Sequence, residues 1–176
     1  MPVEGEPRRM RSKRELRYEL RAARRAVPPD VAAAASDAIA ETLFETLDWA
    51  ATRTLHIYRS VDAWGEVRTG PLIARVRATW PQIEITSPTE AKDQPIPQTP
   101  FDLIVVPVLG FDRDCHRLGL GGGFYDRFLA GQSSALKIGL AYGWAFVPEG
   151  LPREEHDIPL DRIVTEVDVL RRPSGS

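Results

Sequence analysis

Between Arg117 and Arg127 the chain reads Arg-Leu-Gly-Leu-Gly-Gly-Gly-Phe-Tyr-Asp-Arg, a combination of residue types suited to binding phosphate. Gly119, Gly121, Gly122 and Gly123 let the backbone turn tightly and bring its N–H groups close to a ligand. A helix opening near Phe124 aims its positive end at the same place. Arg117 and Arg127 offer planar donors to phosphate oxygens, and Asp126 offers a hard oxygen ligand to a magnesium ion that offsets the remaining charge. A turn that only joins strand to helix has no need of two cations and a carboxylate. Two common nucleotide sites are excluded. No Gly-Lys-Ser/Thr closes the run, as a Walker A loop requires, and Phe124 stands where a dinucleotide fingerprint needs its last glycine.

A second cationic feature lies near the start. Residues 8–25 hold nine Lys and Arg against Glu15 and Glu19, although the whole chain has a formal net charge of −2. Leu16, Leu20, Ala23 and Val27 recur at helical spacing, which predicts a packed helix rather than a nucleic-acid arm. Lys13, Arg17, Arg21 and Arg24 line a neighbouring face. An aligned row of cations on a packed helix suits a polyphosphate, whereas Arg8, Arg9 and Arg11 read as solubilising surface. Lys13 and Arg17 lie off the apolar stripe, so their removal is expected to leave the ligand-free melting temperature unchanged.

The elements that must position these groups alternate. A helix is expected over Asp30–Leu47 after the Pro28-Pro29 break, with further helical patterns at Thr69–Thr79 and Phe124–Ala130. Strands are expected at Thr54–Tyr58, Gln82–Thr86, Asp102–Pro107, Lys137–Ala141 and Arg162–Val164. This order predicts an α/β fold, a three-layer sandwich whose mainly parallel central sheet is flanked by helices. The apolar run Leu103–Val106 reads as a central strand, and its carboxyl end leads to the glycine loop, where open α/β sheets bind ligands. Residues 1–10 are expected to be a flexible extension, 11–168 a single domain and 169–176 a flexible tail. Pro88–Pro100 is a loop by composition.

With 176 residues, 43% hydrophobic and 27% charged, the chain suits one soluble domain with a sizeable core. No apolar run approaches the ~20 residues of a membrane span, and the arginine-rich start lacks the apolar core of a secretory signal, so the expectation is a cytoplasmic protein with neither membrane nor nucleic-acid partners. The single cysteine, Cys115, forms no internal disulfide. Its neighbour His116 does not make it a catalytic pair, because consecutive loop side chains seldom converge.

The segment Phe101–Asp112 followed by Arg117–Leu129 resembles the signature of the 5-formyltetrahydrofolate cyclo-ligase family, also called 5,10-methenyltetrahydrofolate synthetases. Lys13-Arg-Glu-Leu-Arg17 and Leu151–Glu166 agree with the same family in the same order. The resemblance implies an ATP- and Mg2+-dependent ring closure. The N5 formyl oxygen of a reduced folate takes the γ-phosphoryl group of ATP, N10 attacks the activated carbon, and phosphate leaves. It further implies that Lys13, Arg17 and Arg117 hold phosphates over a cradle of Gly119, Gly121, Gly122 and Gly123, that Tyr125 contacts the nucleotide, and that Asp126 and Asp157 ligate magnesium. Lys13, Arg117 and Asp126 would carry catalysis, by positioning and charge stabilisation. His156, beside Asp157, reads as a surface residue.

For the folate, Glu66 stands where the family places an acidic residue after the first strand, and a carboxylate accepts hydrogen bonds from a pterin ring. Tyr58 and Trp64 are candidates to stack on that ring. Family members carry a hairpin and a Gly-x-x-Glu-Pro element before the segment matching Asp102. Here Ile83–Pro88 runs almost directly into the loop that ends at Pro100, which predicts a more open folate pocket. Two alternatives stay open: a non-catalytic nucleotide or folate binder, and an ATP-dependent enzyme acting on another small substrate. The expected partners are ATP and a reduced folate, with the chain a monomer or a weak homo-oligomer.

Overall fold

In a computed structural model, residues 11–88 and 99–173 are described. Helix α1 (Lys13–Ala26) opens on a capping box in which the Ser12 hydroxyl accepts the Glu15 N–H and the Glu15 carboxylate accepts the Ser12 N–H. Helix α2 (Pro29–Thr46) opens on Pro29, whose fixed φ and missing N–H cost nothing in a first turn. Strand β1 (Thr54–Ile57) leads through a 3-10 turn at Asp62–Trp64 to helix α3 (Gly70–Thr79) and strand β2 (Glu84–Thr86). Strand β3 (Leu103–Pro107) precedes a small hairpin of β4 (Gly110–Phe111) and β5 (Arg117–Leu118). Helix α4 (Phe124–Ala130), strand β6 (Leu136–Leu140), strand β7 (Arg162–Val164) and strand β8 (Val169–Arg171) complete the chain.

The six-stranded sheet has the order β2-β1-β3-β6-β7-β8, parallel except for the antiparallel edge strand β8. Successive residues of β3 serve opposite faces. Leu103 and Val105 pack with Ile39 and Leu43 of α2 and Leu72 and Val76 of α3. Ile104 and Val106 pack with Phe128 and Leu129 of α4. Both faces are thus covered, which gives the three layers expected. Helix α1 lies apart from these layers, its Leu16 against Leu118, Val147 and Leu151. Among the described residues no helix is long and apolar enough to cross a membrane.

Three expectations change. Residues 169–171, placed in the tail, form β8, whose backbone pairs with β7. The period-2 signal is too short to show in three residues. The hairpin β4–β5 was not expected either; it is built around Asp112, a fully buried carboxylate that accepts the N–H groups of Asp114, His116 and Leu151. The inward face of α1 differs as well: Ala23 is exposed and Arg24 is buried. The expected extension at 1–10 and the core of the loop at 89–98, on which the missing folate wall turns, lie outside the described residues.

Candidate active site

A cavity of about 1050 Å³ opens at the carboxyl ends of β1 and β3. Its lining includes Lys13, Arg17, Tyr58, Trp64, Glu66, Arg117, the loop Gly119–Gly123, Tyr125, Asp126 and Asp157. Groups spread over most of the sequence therefore share one space, because α1, the β1–α3 connection, the β5–α4 loop and the segment after β6 all converge on that edge.

The glycine loop is shaped by α1. Arg17 Nε donates to the Gly119 carbonyl at 3.0 Å, and Arg21 Nη2 to the Leu120 carbonyl at 2.7 Å. Part of the basic row thus grips loop carbonyls. Gly121 (φ +108°) and Gly123 (φ +64°) occupy conformations that other residues adopt at a cost, whereas a Cβ on Gly122 would meet nothing within 4 Å. At Gly122 neither the backbone nor a neighbouring protein atom calls for glycine, and the space before it is open. Gly123 caps α4 without a side-chain hydrogen bond to the first-turn amides. That helix has only seven residues, so its contribution comes from those amides rather than from a long dipole.

The carboxylates are held by cations. Arg117 Nη2 donates to Asp126 Oδ1 at 2.7 Å, with side-chain exposures of 5% and 18%. Lys13 Nζ lies 2.8 and 2.6 Å from the two oxygens of Asp157 and 2.5 Å from Glu154 Oε2. Burial pushes the Asp157 carboxyl up, but the bonds from Lys13 and the Glu154 amide outweigh it and leave it below the usual range. Burial likewise lowers Lys13, and its two carboxylate partners raise it above its ordinary value. Burial lowers the Arg117 guanidinium, which Asp126 partly offsets. Of the five buried side-chain polar atoms without a hydrogen-bond partner among the described residues, Arg24 Nε, Arg117 Nε and the Tyr125 hydroxyl belong to cavity residues, whereas His56 Nε2 and His116 Nδ1 do not. Three such atoms around one cavity leave polar groups there for a ligand or water to satisfy.

At the other end, Glu66 is 6% exposed and its Oε2 accepts the Val61 N–H at 2.9 Å. Burial raises its carboxyl above the usual range, the Val61 bond and Arg24 acting against it. Trp64 is 52% exposed and free to stack, but Tyr58 is not: it is 3% exposed, with its hydroxyl donating to the Val67 carbonyl at 2.7 Å. Tyr58 is wall rather than stacking platform, since a residue at the end of a central strand is packed on both faces.

Glu154 escapes a reading by motif, because a carboxylate in an exposed Arg-Glu-Glu-His-Asp run carries no local signal. The fold sets it on Lys13, and Glu154, His156 and Asp157 offer ligand atoms within 4.8 Å of one another. Asp126 belongs to no such three-residue group among the described residues. His156 is exposed, as expected of a surface residue. Arg127 donates to the Gly122 carbonyl. Cys115 is fully buried and its thiol is pushed up to about 11 by burial, which suits no nucleophile. Asp102 accepts the N–H groups of Arg53 and Thr54 and so ties β1 to β3.

The chain matches the model of the 5-formyltetrahydrofolate cyclo-ligase family over residues 9–80 and 76–166. It is 43% identical over 67 residues to a 5-formyltetrahydrofolate cyclo-ligase of Haemophilus influenzae, covering 37% of this chain and 35% of that protein. It is 42% identical over 72 residues to one of Escherichia coli K12, covering 40% and 39%. The matched stretches thus span little more than a third of these curated relatives. The fold is similar to a 5,10-methenyltetrahydrofolate synthetase of Aquifex aeolicus (TM-score 0.76, 27% identity, 93% of this chain and 94% of that one). It is also similar to one from Mycoplasma pneumoniae (TM-score 0.74, 23% identity, 89% and 99%). With the family matched along nearly the whole described chain, the protein belongs to the 5-formyltetrahydrofolate cyclo-ligase family.

Proposed function

We propose that this chain catalyses the ATP- and Mg2+-dependent closure of 5-formyltetrahydrofolate to 5,10-methenyltetrahydrofolate. One juxtaposition supports the reading most: a single cavity carries Lys13, Arg17, Arg117, the glycine loop, Asp126 and Asp157 at one end, and Glu66 with Trp64 at the other. A polyphosphate and a hydrogen-bonding heterocycle would lie end to end in it.

The residues suit both groups. Open space before Gly122 leaves room for a phosphate against the backbone, and the carboxylate oxygens of Asp126 and Asp157 are the donors a hard divalent cation takes. Bound there, MgATP supplies the phosphoryl group that turns the formyl oxygen into a leaving group. The chain's own part is positioning and neutralisation. Lys13, Arg17 and Arg117 hold phosphate oxygens, Asp126 and Asp157 hold the cation, and Tyr125 borders the nucleotide. Because Lys13 is paired with Asp157 and Arg117 with Asp126, ligand entry exchanges partners without leaving any charge bare. Val108, Leu109 and Phe124 supply apolar wall that limits water. Glu66 takes the donor edge of the pterin. In this reading the partners are ATP and a reduced folate, in the cytoplasm.

ADP release tests the reading. Release that requires 5-formyltetrahydrofolate supports it. ADP formed equally well without the folate points to another acceptor, and nucleotide binding with no release points to a binder.

A further inference from the structure

Arg24 is the cation of α1 that the fold buries, at 6% exposure. Its Nη2 donates to the Val108 carbonyl at 2.6 Å, in the turn between β3 and β4. Its stem runs along Gly65, where an added Cβ would stand 3.1 Å from Arg24 Cγ and 3.4 Å from Cδ. Gly65 also has a φ of +63°, so contact and conformation both call for glycine there. The next residue is Glu66, and Arg24 and Glu66 line the same cavity.

A backbone carbonyl can be satisfied by a neutral donor, and burying a guanidinium is unfavourable unless its charge is used. Arg24 leaves its Nε without a partner, so as a mere staple it would be poorly built. The charge has a use in Glu66, the residue after Gly65: the two side chains line one cavity without forming a direct ion pair. The groups around Glu66 are Arg24 from α1, the Val61 N–H and Tyr58 from the segment after β1, Tyr125 from α4, and Tyr142 from the segment after β6, whose hydroxyl donates to the Glu66 backbone carbonyl. Of these Arg24 alone is charged. Glu66 Oε2 is occupied by Val61, and Oε1 has no hydrogen-bond partner among the described residues.

We infer that Arg24 is a positioning residue for the substrate half of the cavity: held by Val108 and Gly65, it sets its charge on the Glu66 side of the cavity and leaves Oε1 available to a ligand's N–H edge, such as that of a pterin. The inference rests on the cyclo-ligase reading for the identity of that ligand, but not for the coupling of Arg24 to Glu66.

Two measurements separate these. In the ligand-free protein, the carbon-13 shift of the Glu66 carboxyl is titrated in wild type, Arg24→Met and Arg24→Lys. The midpoint should rise by about one pH unit in Arg24→Met and return toward wild type in Arg24→Lys. An unchanged midpoint in Arg24→Met overturns the inference. Calorimetry with 5-formyltetrahydrofolate from about pH 5 to about pH 8 should then show the acid limb of affinity displaced upward by the same amount in Arg24→Met, with affinities converging at the alkaline end. A uniform loss at every pH marks a purely structural role and also overturns it. Should Arg24→Met not fold, Arg24→Gln removes the charge while keeping a donor, and the same outcomes decide. Wild type that binds no folate sinks the cyclo-ligase reading, and the titration alone still decides the coupling.

Discussion

Lys13 and Asp157, 144 residues apart, close the candidate site as an ion pair with both side chains only 16% exposed. The residue expected to hold phosphate thus neutralises the residue expected to hold the metal while neither ligand is bound. The expectation that removing Lys13 leaves the ligand-free melting temperature unchanged gives way to a different one. Lys13→Met strands Asp157 beside Glu154 and should cost about 1 kcal/mol, or a melting temperature lower by about 2–4 °C. Asp157→Asn added to Lys13→Met should cost little more, because the pair is already broken. Scanning calorimetry of both variants checks this; additive losses would contradict it.

The carboxylates give a kinetic prediction. Asp126→Asn and Asp157→Asn should each lower turnover by ~100-fold or more, each removing an anionic oxygen from the cation's ligands. The magnesium concentration for half-saturation should rise in both. Full turnover in Asp157→Asn would rule out its role as a ligand.

The loop separates backbone strain from ligand space. Gly121→Ala should destabilise the protein by about 1–2 kcal/mol, since φ is +108° there. Gly122→Ala should leave stability within ~0.5 kcal/mol and weaken nucleotide binding, because the methyl group enters open cavity rather than protein. Urea unfolding set beside calorimetric titration of a nucleotide analogue tests both. Nucleotide affinity unaffected by Gly122→Ala would remove the phosphate from that spot.

His56, 1% exposed on β1 beside Phe101 and Phe128, has its imidazole pushed down to about 4 by burial. A group whose folded pKa lies below its unfolded value is protonated first in the unfolded chain, so stability falls as pH drops from ~6.5 toward ~4 and levels off below. The loss should reach roughly 2–4 kcal/mol and be absent in His56→Leu. Urea unfolding of both proteins at neutral and acidic pH measures it; equal acid sensitivity in the two would place the loss elsewhere.

Most of this architecture is legible in the sequence because its signals are local. The run Leu103–Val106, the helical spacing of Leu16 and Leu20 and the glycines before Phe124 each announce their element within a few residues. What is not legible depends on contacts distant in sequence. Arg24 reads like any cation of α1 until Gly65 and Val108 close over it. Tyr58 reads as a stacking ring until its hydroxyl is found on Val67. Glu154 gains its partner only when the segment after β6 returns to the start of α1. Strand β8 takes its conformation from the edge of β7 rather than from its own three residues.

In the proposed function one cavity joins a nucleotide to a reduced folate and turns them over. The direct measurement is absorbance at the methenyl-folate band when the purified protein is mixed with 5-formyltetrahydrofolate, ATP and Mg2+. The absorbance should rise only with all three components present, be matched mole for mole by ADP, and be lost in Asp126→Asn. No rise under conditions where both ligands are shown to bind would contradict the proposed function.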